Sequence, residues 1–231
     1  MLPHEKIIKT TAKKILEQEK LFQVGNSRCY LDDNGYFMIQ VEFQPVTYMK
    51  GSGLNVGVAF LWECTKVLND TLACSYGGAA GASFVEYRDD DSFQADMEVL
   101  VKTALEKVEE YRKFSDMDYA KKCLQAKISD TPQGQFWEWY DLAMLCFLKG
   151  DYEDGKAAFA RYLEILRNGF YQGGVYIELK EEFYNYCIEN IECKLTSKEA
   201  ARQMVVDMIN RRRKFFSAKP SYKKMGGWDY K

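Results

Sequence analysis

With 231 residues, 47% of them hydrophobic and 29% charged, and a net charge of −2, the chain has the makeup of a globular protein that buries a core, as one domain or a domain with a subdomain. No apolar run approaches membrane-spanning length, and the charged start MLPHEKIIKTTAKKILEQEK lacks the apolar stretch and cleavage site of a secretory signal, so a cytoplasmic protein is expected. Seven cysteines (29, 64, 74, 123, 146, 187 and 193) form no CxxC pair and the only histidine is His4, which argues against a disulfide framework, structural zinc and imidazole catalysis.

The thiols are expected to be reduced and mostly buried, His4 to be exposed and idle near the terminus, and no metal or cofactor is expected. Ile7, Ile8, Ala12, Ile15 and Leu16 recur at helical spacing, which predicts an amphipathic helix over 5–20. Past Gly25, two strands (27–32 and 36–46) flank Asn34-Gly35, a strong hairpin signal because both residues tolerate positive φ. In the second strand Phe37, Ile39, Val41 and Phe43 alternate with Met38, Gln40, Glu42 and Gln44, the period of a half-buried strand. Asp32 and Asp33 are read as capping and solvating the turn. A calcium loop would put Tyr30 and Val41 at its first and last ligand positions, where neither can ligate.

TYMKGSG reads as a loop, and a third strand follows over 54–62 with small residues on its second face, where either a helix packs closely or a groove lies open. CSYGGAAGAS reads as a flexible connection and 82–88 as a fourth strand. Asp89, Asp90 and Asp91 precede a helix over 92–114 with Phe93, Met97, Leu100, Val101, Leu105, Val108 and Tyr111 on one face, and Asp91 with Gln94 fits a capping box.

Beyond Ser115 the pattern is helical. One helix carries Ala120, Cys123, Leu124 and Ile128, and Thr131-Pro132 is set to open the next, which stops at Gly150. The stretch WYDLAMLCFLKGDYEDGKAAFARYL resembles one tetratricopeptide unit through Trp139, Leu142, Ala143, Gly150, Tyr152, Gly155 and Phe159. It departs at Tyr162, and with no second copy at that period it reads as a lone helical hairpin. Two more helices are expected at 176–194 and 197–216, the latter opened by Thr196 and Glu199. The resulting expectation is an α+β fold: an N-terminal helix and a roughly four-stranded antiparallel sheet packed by a long helix (1–115), an all-helical subdomain (116–216) and a basic aromatic tail (217–231).

The order of parts over about 5–115 resembles the bacterial domain of unknown function 4304: a leading helix, LFQVGNSRCYLDDNGYFMIQVEFQP, SGLNVGVAFLW and a long helix, with Gly25, Phe43, Gln44, Val56 and Gly57 matching its glycine, its "fQ" strand end and its "vn.G" strand. The resemblance implies an α+β fold for this half and no activity. A binding or immunity-type role is an expectation carried with it.

Three function classes remain. GSGLNVG precedes a strand, so it is not a dinucleotide fingerprint, and YGGAAGAS lacks the Lys and Ser/Thr of a phosphate loop. A binding module would present Gln40, Glu42 and Gln44 from the outward face of the second strand to a partner, most naturally a protein, or would use a groove between the two halves of the chain. A carboxylate enzyme would pair Glu42 with Asp32 or Glu63. Nucleic-acid binding would use the C-terminus: residues 211–231 hold eight Lys/Arg against one acid, net +7, leaving −9 elsewhere. Arg211, Arg212, Arg213, Lys214, Lys223 and Lys224 interleaved with aromatics are its candidate contacts. An acidic remainder repels polyanions, so a tail docked on the protein is the favoured reading of that segment. Non-catalytic binding is the expected function.

Overall fold

The computed structural model describes residues 2–46, 49–62, 72–130, 136–172, 175–177 and 181–231. The chain forms two units. The first comprises Met1–Phe60, Leu72–Lys113 and Phe216–Gly227; the second comprises Leu61–Thr71, Phe114–Phe215 and Trp228–Lys231.

In the first unit α1 (Pro3–Leu16) leads into five strands, β1 (Phe22–Gln23), β2 (Cys29–Asp33), β3 (Phe37–Val46), β4 (Met49–Phe60) and β5 (Tyr76–Glu86), followed by α2 (Asp90–Arg112). Each strand pairs antiparallel with the next, giving one sheet in the order β1-β2-β3-β4-β5. The expected four strands are thus five. The additional one, β1, is two residues long and carries no alternation to detect, but pairs Phe22 with Leu31 and Gln23 with Tyr30. The expected loop TYMKGSG and the expected connection CSYGGAAGAS lie largely inside β4 and β5, because cross-strand pairing supplies the backbone bonds that glycine-rich sequence does not advertise.

Register fixes the two faces. Phe37 opposes Phe60, Ile39 opposes Val58 and Asp32, and Val41 opposes Val56 and Tyr30. Phe37, Ile39, Val41, Phe43 and Val58 are fully buried on this side, each contributing about 1.5–3 kcal/mol of apolar burial. α2 covers it: the Tyr111 ring meets Tyr76 edge-on at 6.0 Å, and Arg112 Nε donates to Asp32 Oδ2 at 2.8 Å. α1 packs on α2 and buries Ile8, Thr11, Ala12 and Leu16, with the Thr11 hydroxyl donating to Gln94 Oε1 at 3.2 Å.

The aspartates at the hairpin divide their roles. Asp33 Oδ1 accepts from Gly35 N–H at 3.1 Å in the turn, where Gly35 has φ 86°. Asp32 does not solvate the turn: its carboxylate is buried and held by Arg112, because position 32 shares the core face with Ile39. His4 is also buried, at 8% exposure, with its ring 5.5 Å from that of Tyr87, so the expectation of an exposed residue fails. The cap of α2 is Asp89 rather than Asp91, its two oxygens taking Ser92 N–H at 2.8 Å and Ser92 Oγ at 2.7 Å.

The second unit holds α3 (Met117–Asp130), α4 (Phe136–Lys149), α5 (Tyr152–Asn168), β6 (Phe170–Gln172), β7 (Val175–Ile177), α6 (Glu181–Asn190) and most of α7 (Lys198–Ser217). It is not all-helical: β6 and β7 form an antiparallel pair where a helix from 176 was expected, and α6 starts only at Glu181. The expected opening at Thr131-Pro132 lies outside the described residues. The cap of α7 is Ser197, whose Oγ accepts Ala200 N–H at 3.1 Å, one residue beyond the Thr196 of the sequence reading.

The α4–α5 hairpin does form as the sequence suggests. α4 is buried almost all round, from Tyr140 through Leu148, as befits a central helix. Gly150, at φ 93°, ends it, and Asp151 N–H returns to Cys146 O at 2.8 Å. Tyr162, the departure from the repeat pattern, fills a fully buried slot against Phe136 (centroids 6.0 Å) and Tyr140 (5.1 Å). Gly155 lets α5 approach closely, since a Cβ there would stand 2.5 Å from Cδ1 of the buried Phe147 ring. Gly155→Ala should therefore overpack this contact and cost about 1–3 kcal/mol, read as a lower urea midpoint with the helical circular dichroism retained before the transition.

Candidate functional site: the half-open face of the sheet

Paired residues of antiparallel strands project to the same side, so the ladder places each side chain of the face opposite α2. One row runs Cys29–Glu42–Asn55 across β2, β3 and β4. Beside it lie Leu31–Gln40–Gly57 and, on the other flank, Gln44–Gly53–Phe84. Gln40, Glu42 and Gln44 thus share one surface, as their even spacing on β3 requires.

The surface is graded rather than uniformly open. Met38, expected to face water with them, is 0% exposed, as are Leu31 and Ala59 at the same end. Gln40, Glu42 and Asn55 are half-buried and Gln44 is exposed. A Cβ added at Gly53 would come no nearer than 3.9 Å to any atom, that of Gln44, so this stretch of β4 is an open floor. Gly57 is occupied: Cys74 folds over it, with its Cβ 2.8 Å and Sγ 2.9 Å from where a side chain would begin. The small residues of β4 therefore mark a groove at one end and close packing of a neighbouring segment at the other.

Among the described residues, the one hydrogen bond within this set joins Gln44 Nε2 to Glu42 Oε2 at 3.1 Å. Asn55 Oδ1 is buried without a partner, a costly condition for a polar atom. Burial pushes the Cys29 thiol up to about 12, with the Glu42 carboxylate and then Cys74 adding to the effect. Burial followed by Glu42 does the same to Cys74. Both sulfurs remain protonated and are poor nucleophiles at neutral pH. Cys29, Asn55 and Cys74 were not candidates in the sequence. Asn55 was visible as an outward position of the third strand, but only the register brings it beside Glu42, and nothing marked the fold-back of residue 74.

The carboxylate-enzyme reading loses the first of its two pairs. Asp32 and Glu42 project from opposite faces of the sheet, and Asp32 is engaged by Arg112. Glu63 lies outside the described residues. Among the described residues no group of three or more His, Cys, Asp or Glu side chains could hold a metal ion, and no helix is long and apolar enough to cross a membrane.

The four successive cationic candidates of α7 do not share one face of the helix. Arg211, Arg212, Arg213 and Lys214 are successive positions of α7 and fan around it at about 100° each. Arg211 and Lys214 are exposed, whereas Arg212 and Arg213 are buried, at 4% and 1% exposure. Lys223 and Lys224 are exposed in the first unit, and Lys224 Nζ pairs with Glu17 at 3.3 Å. The tail is docked, not free. Gly25 N–H donates to Ser221 O at 2.9 Å, Met225 is fully buried, and the Arg213 guanidinium lies 3.7 Å from the Trp228 ring centroid.

Two shallow clefts lie elsewhere. One of 370 Å³ is bordered by Glu5, Lys9, Asn26, Ser27 and Arg28, where Glu5 already neutralises Arg28 at 3.2 Å. Another of 220 Å³ lies between α6 and α7, next to Tyr186, Asn190, Met204 and Met208. Set against protein-family models, curated proteins and solved structures, the chain matches none.

The two thiols give the face a pH signature. Their folded values are raised above the ordinary 9.0, so the folded state keeps protons that the unfolded state releases. Stability from this source is complete below pH 9 and is lost as pH rises toward 12, by about 1.4 kcal/mol per pH unit per thiol. Urea midpoints from pH 8 to 10.5 should fall less steeply in the Cys29→Ser/Cys74→Ser double variant than in the native chain.

Proposed function

We propose that the protein is a cytoplasmic, non-catalytic binding module that holds another protein on the half-open sheet face. One observation carries this reading. Gln40, Glu42 and Asn55 stand half-buried on adjacent strands of a rigid sheet, and the described contacts use only one bond, Gln44 to Glu42, among them. Polar groups in such a position lose water without gaining partners, a cost that a docking surface recovers when a partner supplies the complementary groups. The backbone beneath them is held on both edges, so the surface is pre-organised and binding requires little ordering.

The open floor at Gly53 gives an incoming chain room to approach β4 between Gln44 and Asn55. The surface offers the unpartnered Asn55 Oδ1 and the Glu42 carboxylate, which suit a partner segment that brings donors to them. The likeness to domain 4304 and the immunity-type role that travels with it belong to the same proposal, with the partner as the protein neutralised or escorted. The polyanion reading is disfavoured by the burial of Arg212 and Arg213. Chemistry at Cys29 or Cys74 is disfavoured by thiols held near 12.

The test is site-specific photocross-linking in the native host. A photoreactive amino acid replacing Gln44 should yield a discrete protein adduct, while the same probe replacing Lys102, exposed on α2, should not. Glu42→Lys in the Gln44-probe background should abolish the adduct without changing the circular dichroism spectrum. Equal labelling at both positions, or an adduct indifferent to Glu42→Lys, would remove the sheet face as the binding surface.

A further inference from the structure

The last residues of the chain are held in the second unit in an unusual way. Tyr230 N–H donates to Asn210 Oδ1 at 2.7 Å, and Asn210 Nδ2 donates back to Tyr230 O at 3.1 Å. One carboxamide therefore satisfies both backbone groups of one residue, as a neighbouring strand would. Arg213 Nε donates to Trp228 O at 3.3 Å and Arg202 Nη2 to Lys231 O at 3.1 Å. Arg202, Asn210 and Arg213 lie along α7, spaced eight and three residues apart, so they form one stripe on the helix.

These four hydrogen bonds are all made to main-chain atoms of the segment. Trp228, Asp229 and Lys231 are exposed, Trp228 at 49%, and Tyr230 is half-buried. The segment adds little to the core. One side-chain contact anchors its first position, where Trp228 lies on the Arg213 guanidinium at 3.7 Å.

We propose that this stripe of α7 is a second docking site, for an extended peptide segment of a partner protein, and that residues 228–231 occupy it as a displaceable placeholder. The contacts define the ligand: an aromatic residue, any residue, then a non-proline residue whose N–H and C=O both meet Asn210. A second copy of this chain is a poor occupant. The tethered segment is present at an effective concentration of about millimolar, which an identical segment from another molecule does not exceed at ordinary protein concentrations. A partner segment with better-matched flanks can win, and it must overcome that intramolecular competition. The site is separate from the sheet face and does not depend on the function assigned there.

The probe is the fluorescently labelled hexapeptide Gly-Gly-Trp-Asp-Tyr-Lys, titrated against the full chain by anisotropy. Trp228→Ala weakens the tethered competitor while leaving Arg202, Asn210 and Arg213 in place, so it should bind the probe at least ten-fold more tightly than the native chain does. Asn210→Ala added to Trp228→Ala should cancel the gain. The same hexapeptide with proline in place of its tyrosine should not bind either protein, a control that leaves the fold untouched. Absence of binding by the Trp228→Ala chain at millimolar probe, or equal binding of the proline peptide, would overturn the proposal. So would concentration-dependent dimerisation of the native chain that Trp228→Ala abolishes, which would assign the segment to self-association.

Discussion

The parity of a single ladder governs the first unit. Pairing Phe37 with Phe60, Ile39 with Val58 and Val41 with Val56 sends Phe37, Ile39, Val41 and Phe43 into the core and Met38, Gln40, Glu42 and Gln44 to the opposite side. Side chains alternate with a period of two, so a slip of one residue would exchange the faces completely. It would bury Glu42 beneath α2 and leave Phe43 in its place. That same parity separates Asp32 from Glu42, joins Asp32 to Arg112, and gathers Glu42, Asn55 and Cys29 into one row. The core and the candidate site are two readings of one register.

Alternation and turn chemistry were legible in the sequence. The run from Phe37 to Gln44 announced a strand with two unlike faces, Asn34-Gly35 announced its turn, and the α4–α5 hairpin followed from glycine and aromatic spacing. Features made by pairing alone were not legible. β1 is too short to show a period, and the glycine-rich start of β5 carries no β-propensity, yet Gly77 and Gly78, at φ 79° and 132°, sit in the sheet because β4 supplies their hydrogen bonds. The ladder steps from Asn55–Ala79 to Gly53–Phe84, a register shift that period counting cannot detect. For the site, Gln40, Glu42 and Gln44 could be named from one strand, whereas Asn55 and Cys74 needed the neighbours.

The basic C-terminus shows how composition misleads when geometry is missing. Eight cations in 21 residues suggest a polyanion surface. A helix, however, distributes consecutive residues around its axis, so a run of three arginines cannot present itself on one side. Arg213 is instead roofed by Trp228, an arrangement that desolvates the guanidinium while leaving its charge facing a ring. Aromatic interleaving, which in sequence looked like a stacking platform for bases, is used here to seat the chain upon itself.

The first unit is discontinuous in sequence, and this has a consequence for biosynthesis. Its helices α1 and α2 and its five strands are all translated by residue 112, but Ser221, which accepts the Gly25 amide, and the buried Met225 emerge about a hundred residues later. At ribosomal rates of about 5–20 residues per second, the nascent sheet therefore waits for several seconds with one seam unsealed. During that interval any chaperone or early-arriving ligand meets an unfinished intermediate, whose last seam closes only after the distant segment has been made.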